Sequence, residues 1–285
     1  MGQILLTGLC FLCLVSATSY ALAEGQGAMQ NGMSVQIGYD GASLSYKETD
    51  PINSSVLDKD TGWQNGINAE ARYDGSIIGI PFFMRGYYDF IGSGSAKYSG
   101  SLQNGTPITM STKEAISKTE FDLGLKVWND RNGTLSFYGG IGYRWWDRGQ
   151  DALPDYKEKY RWAFGTAGAN VSWRITDKFI AALDGALLIP ISPTMKTNVA
   201  GLLDNATFHM KSRIGFRAQL PLSYDFYTIK RFKMYAYVTP YYERWNIGQS
   251  PQILLTSGGQ PVAYAIEPKS HTDLFGSLLG VGVHF

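Results

Sequence analysis

A chain of 285 residues with 14% aromatics, 33 glycines and only 17% charged residues is richer in Tyr, Trp and Gly, and poorer in charge, than an average soluble domain. Its formal net charge of +1 removes the electrostatic basis for binding nucleic acid or for polybasic attachment to anionic lipid. The length allows one or two domains, and all-β barrels of this size are routinely one.

The first 23 residues read as an address. Ile4–Val15 is a short apolar run, followed by small and polar residues and by Ala21-Leu22-Ala23, an A-x-A site of the kind signal peptidase cuts. The expected division is therefore a signal peptide over 1–23 and a β-barrel over 24–285. Met1-Gly2-Gln3 departs from the pattern in carrying no Lys or Arg. Cys10 and Cys13 would leave with this segment, so the mature chain would have no thiol chemistry. Beyond Ala23 no run of about 18 apolar residues occurs, and a membrane role would have to come from strands.

Period-2 alternation then predicts ten strands: 33–47, 63–73, 81–91, 118–128, 134–147, 157–173, 179–191, 207–224, 232–245 and 273–285. In the first, Val35, Ile37 and Tyr39 share one parity while Ala42, Leu44 and Tyr46 share the other, and the slip at Asp40-Gly41 predicts a bulge. The sixth carries a similar slip, where Tyr160, Trp162 and Phe164 give way to Ala167, Ala169 and Val171. The eighth is the cleanest two-faced segment, with Phe208, Met210, Ile214 and Phe216 opposite His209, Lys211, Arg213 and Arg217. In the last, Phe275, Leu279, Val281, Val283 and Phe285 oppose Gly276, Gly280, Gly282 and His284. An apolar edge strand of this kind would template aggregation unless both its edges were paired, which only a closed barrel achieves. Long polar segments, among them 92–115 and 246–272, alternate with short turns such as Asn129–Gly133 and Ile175–Lys178. Transmembrane barrels sort their connections this way, and an even strand number returns both termini to the periplasmic side.

In such a barrel the apolar parity faces lipid, because Arg or Lys at the midplane costs roughly 2–4 kcal/mol. The opposite parity predicts a luminal charge network of Arg72, Arg85, Lys126, Arg144, Lys211, Arg213 and Arg217 with Glu70, Asp89, Glu120, Asp122, Asp184 and Glu243. Seven cations against six anions imply a salt-bridged filling of a narrow lumen, and an open diffusion pore is not expected of fewer than about 16 strands. Tyr39, Trp63, Tyr73, Tyr88, Phe90, Trp145, Tyr160, Trp162, Trp173, Tyr224 and Phe285 fall where interfacial girdles form. A soluble sandwich or lipocalin-like barrel would bury the same apolar faces, but has no reason to sort its loops.

The closing segment, with Val281, Val283 and terminal Phe285, resembles the last strand of bacterial outer-membrane β-barrels, which implies recognition by the outer-membrane assembly machinery. The ten-strand plan, and Tyr156-Lys157-Glu158-Lys159-Tyr160-Arg161 through Gly168 with the turn 173–178 and strand 179–187, resemble the omptin proteases. Members of that family use an Asp pair on the second outer loop and Asp-x-His on the fourth. Here 92–115 contains no Asp, and Asp204 has no His two residues on, since His209 stands five positions away. The resemblance therefore carries over no catalytic residue. His209, His271 and His284 are too scattered for a metal site, and no phosphate loop occurs, so no cofactor or metal is expected. The reading is an outer-membrane barrel with a structural or surface-interaction role, its partners being outer-membrane lipid and lipopolysaccharide, the assembly machinery and an unidentified ligand of the loops. An omptin-type protease or an enzyme acting on outer-leaflet lipid is the alternative, and a narrow channel is the third.

Overall fold

The computed structural model describes residues 32–285 apart from 51, 53, 54, 93, 102–105, 151–152, 200–202 and 231. The expected signal peptide and cleavage site lie outside the described residues. Fifteen strand segments follow one another: β1 (Gly32–Thr49), β2 (Val56–Ile77), β3 (Ile80–Ile91), β4 (Ser95–Ser101), β5 (Pro107–Asn129), β6 (Gly133–Gln150), β7 (Leu153–Arg174), β8 (Phe179–Val199), β9 (Leu203–His209), β10 (Lys211–Gln219), β11 (Leu222–Ile229), β12 (Phe232–Gly248), β13 (Ile253–Ser257), β14 (Gln260–Ala265) and β15 (Lys269–His284).

The wall is an antiparallel ring. β1, β2, β3, β5, β6, β7, β8, β10, β12 and β15 pair in that order, and β1 closes the circle by pairing with both β2 and β15, Leu44 lying opposite Gly62 on one side and Leu274 on the other. That makes ten staves, as the alternation predicts. β4 extends the β3 stave, while β9 and β11 extend the β10 stave above and below. Closure gives each of the ten staves a paired neighbour on both sides, which is what a wall in hydrocarbon requires. One end carries tight links. Ile78 and Gly79 both adopt positive φ (52° and 78°), the geometry of a two-residue hairpin turn, and Asp130 accepts hydrogen bonds from the Asn132 and Gly133 amides.

The staves are taller than a bilayer. A 22-residue strand such as β2 reaches about 70 Å at ~3.3 Å per residue, and a tilt of about 40° still leaves it well beyond the roughly 30 Å of hydrocarbon. Much of 92–115, expected as loop, is accordingly wall: β4 and the upper part of β5 continue the ladder above the membrane level. In the same way most of 246–272 is ordered, partly as the separate β13–β14 hairpin.

On β1 and β7 side-chain character inverts along the stave without a change of parity. On β1, Val35, Ile37 and Tyr39 point outward, Ile37 being 60% exposed, and the residues that continue that face are Ser43, Ser45 and Lys47. On the inner face Gln36 and Asp40 are followed by Ala42, Leu44 and Tyr46, all three at 0% exposure. The pairing of β1 with β2 and β15 runs unbroken through Asp40 and Gly41, so the expected bulge is absent there. The apparent slip on β7 has the same origin. Tyr160, Trp162 and Phe164 point into the lumen, while Lys159, Arg161 and Ala163 lie on the outer parity. Tyr160 and Trp162, expected in an interfacial girdle, are thus core residues. Outside the lipid level the outer face meets water and the inner face must supply a core, so hydrophobicity changes sides where the bilayer ends.

The β10 stave does slip. The segment read as one clean strand, 207–224, is broken at Met210 and again at Leu220-Pro221, with a register shift between Arg213 and Phe216 against β12. Phe208 and Met210 point inward, but Ile214 and Phe216 point outward. The shift turns His209, Lys211 and Arg213 to the exposed surface, which corrects their luminal placement.

Candidate functional site

Eleven of the thirteen expected luminal charges line or fill the lumen, Lys211 and Arg213 being the two outside. At the end bearing the tight turns the lumen opens into a cavity of about 420 Å³ with Glu70, Arg72, Asp74, Arg85, Asp122 and Arg217 on its wall. Arg72 (2.8 Å) and Lys126 (2.8 Å) both donate to Asp74. Arg85 donates to Asp122 (2.7 Å) and lies 3.7 Å from Asp184, which in turn accepts from the Tyr138 hydroxyl (2.7 Å).

Above the cavity the ion pairs close ranks. Arg217 donates through both terminal nitrogens to the two Glu120 oxygens, at 2.7 and 2.8 Å. Lys118, which the sequence reading left out of the network, donates to Glu243 and lies 4.0 Å from Asp89. The Trp245 indole donates to Glu243 as well (2.6 Å), and Tyr241 donates to Asp40 (2.9 Å). Bidentate and charge-assisted geometry of this kind satisfies charges that would otherwise be costly to bury.

The next layer is aromatic. Arg144, fully buried, was expected in the ion-pair network but stands among the rings of Trp162, Trp245 and Trp146, with centroids 4.9, 5.3 and 5.7 Å from its guanidinium carbon. Phe164 and Trp162 meet Trp245 edge-on at 5.0 and 5.5 Å. Indole faces are the best aromatic partners for a guanidinium.

Beyond that layer lies a second cavity, of about 230 Å³, at the opposite end. Glu48, Asp58, Arg148, Glu158 and Glu267 form one side of it, and Met195, Leu203 and Phe208 the other. Arg148 is the hub. It donates to Asp60 (2.6 Å) and Glu158 (2.8 Å), and lies 3.8 Å from Glu48 and 4.0 Å from Asp58. Its carbon sits 4.8 Å from the Tyr46 ring. Tyr46 donates to Glu48 (2.6 Å), the Tyr160 hydroxyl is 3.0 Å from Glu267, and Trp146 donates to Glu114 (2.5 Å). One cation thus faces several carboxylates. Burial, followed by the charge of Asp58, pushes the Glu48 carboxyl up to about 8. Burial likewise raises Asp58 to about 6 and Glu114 to about 7, and lifts Glu267 well above its ordinary value. Carboxyls spread over such a range supply both a proton donor and a proton acceptor near neutral pH.

The sequence reading missed this cluster because Asp58, Asp60, Glu114, Arg148 and Glu267 fall in stretches taken for loops, 50–62, 92–115, 148–156 and 246–272, while Glu48 sits just past the first predicted strand and Glu158, within the sixth, was not counted among the luminal charges. The signal was present in the continuing alternation of Trp146 with Arg148, Glu158 with Tyr160, and Asp58 with Asp60. Asp204 lies on β9 and accepts hydrogen bonds from Thr256 and the Gly258 and Gly259 amides, and His209 is exposed, so the two form no catalytic pair. Among the described residues, no three His, Cys, Asp or Glu side chains are grouped to hold a metal ion.

No protein-family profile and no curated protein sequence matches the chain. Among solved structures, the outer-membrane protease OmpT of Escherichia coli superimposes with a TM-score of 0.61 at 11% identity, over 92% of this chain and 99% of that one. The outer-membrane protein OprG of Pseudomonas aeruginosa follows at a TM-score of 0.42 and 10% identity, over 92% of this chain and 99% of that one. The fold is that of an outer-membrane β-barrel, with the plan of the omptin barrel.

Proposed function

We propose that this chain is an integral protein of a bacterial outer membrane that displays a recognition surface at its outer end and does not conduct solutes. The carrying observation is the layered lumen: two cavities, at opposite ends, separated by the Glu120–Arg217 and Lys118–Glu243 pairs and by the Trp cage of Arg144. The cavity around Arg148 faces outward in this reading, and both termini face the periplasm. Lys47, Lys59, Lys113, Arg161 and Lys196, on the outer parity just above the apolar band, then stand at the level of the outer-leaflet phosphates, which supports lipopolysaccharide as the surrounding lipid. Val281, Val283 and Phe285, on the strand that closes the ring, remain the proposed signal to the assembly machinery.

The test is conductance in a planar bilayer. The purified protein is expected to give no discrete steps, whereas Arg144→Ala combined with Trp245→Ala is expected to give them by emptying the seal. Steps from the unaltered protein would replace this reading with a channel. A hydrolytic reading draws on the Arg148 carboxyls and on the OmpT-like fold, and is tested by incubation with a dibasic peptide. No cleavage is expected, because Asp204 is engaged elsewhere and has no His beside it.

A further inference from the structure

The β13–β14 hairpin forms a sheet of its own, outside the ring. Residues 251–266 contain no charged side chain, an unusual stretch for the water-facing end of a protein. Ile253, Leu255 and Ala265, on its inner face, pack against the buried apolar cluster to which Met195 and Phe208 of the cavity wall belong. Leu254, Val262 and Tyr264, on its other face, are 45%, 57% and 70% exposed.

Two polar ties hold the hairpin. At its base the Ser250 amide donates to the Glu267 carbonyl (3.0 Å), and the Glu267 amide donates back to the Ser250 hydroxyl (2.9 Å). Glu267 is also one of the acids of the cavity. At its tip three hydrogen bonds run to a single side chain, Asp204. One carboxylate oxygen accepts from Thr256 (2.7 Å) and the Gly259 amide (2.9 Å), and the other from the Gly258 amide (3.1 Å). Positive φ at Gly258 and Gly259 (56° and 78°) aims both amides at that carboxylate. Asp204 belongs to β9, the segment that supplies Leu203 and Phe208 to the cavity wall.

We propose that the hairpin is a lid over the outer end, that Asp204 is its latch, and that release of this latch exposes the apolar inner face and the Arg148 cavity beside it. The base tie stays in place as the hinge. The proposal rests on the reading of that cavity as the recognition site, but it is tested without any ligand, so the two stand or fall separately.

In a chain lacking Cys10 and Cys13, Leu255→Cys reports on the inner face and Leu254→Cys on the outer. With Asp204 replaced by Ala, maleimide labelling of Leu255→Cys is expected to quicken about tenfold or more, while labelling of Leu254→Cys stays within about twofold, as loss of a local tie opens only the element it held. Thr256→Val, which removes one of the three tip bonds, is expected to give an intermediate rate, and serves alone if the Asp204 variant does not fold. A heat-modifiability gel confirms that the barrel is intact. Equal labelling of Leu255→Cys with and without the latch would overturn the proposal, and so would equal acceleration at both positions.

Discussion

Arg148 shows what one residue decides. It is the cation that faces Glu48, Asp58, Asp60, Glu158 and Glu267, so its removal takes from these buried carboxylates the counter-charge it supplies. Breaking a buried pair from one side costs roughly 3–5 kcal/mol, and Arg148→Met is expected to lower the urea midpoint for exposure of the outer tryptophans accordingly. The pH dependence has a definite sign. Glu48 ionises at about 8 in the fold against an ordinary 4.5, so the folded state binds the extra proton. Its contribution to stability is complete below about pH 4.5 and is lost as pH rises through 8. The same midpoint is therefore expected to be higher near pH 5.5 than near pH 8.5, and Glu48→Gln is expected to reduce the difference, the remainder coming from Glu267, Glu114 and Asp58, which burial raises as well. A midpoint that rises with pH would sink this account of the cluster.

A single stave crosses two solvents, and its parity is read differently in each. On β1, Ile37 and Ser45 share a face, yet the first meets acyl chains and the second water. Ile37→Arg is expected to cost roughly 2–4 kcal/mol in lipid, while Ser45→Arg stays within about 0.5 kcal/mol, measured by urea titration in bilayers. Equal costs would put the membrane boundary elsewhere. The sixth and first predicted strands seemed to slip for this reason, since their apolar residues change sides at constant parity. The β10 stave differs because it really is broken, at Met210 and Pro221, and there a hydropathy pattern that looked clean misplaced His209, Lys211 and Arg213.

For the whole molecule, closure of the ring and separation of the two cavities are the features with consequences. Protease added to intact cells is expected to cut in the exposed Gly258-Gly259 turn and to spare the Asn129–Gly133 link until the membrane is permeabilised. The reverse pattern would invert the orientation proposed for the barrel. A ring of ten staves encloses a narrow lumen with little room for counter-ions, so Arg85, Lys118, Arg148 and Arg217 each meet a carboxylate from another stave, whereas around Arg148 the carboxyls outnumber the cation and burial pushes Glu48 to keep its proton.

Alternation along the chain determined by itself that the structure is all-β, that its staves number ten, and which lower residues face lipid, because side-chain direction in a strand is a local property of period two. Tertiary structure alone decided the rest. The Arg148 cluster draws on β1, β2, β6, β7 and the segment before β15, and the Trp cage of Arg144 on β6, β7 and β12, so neither has a spacing to be read. The height of the wall was hidden for a related reason: above the bilayer its outer face is polar, like a loop, and only pairing with a neighbouring stave shows that it is strand.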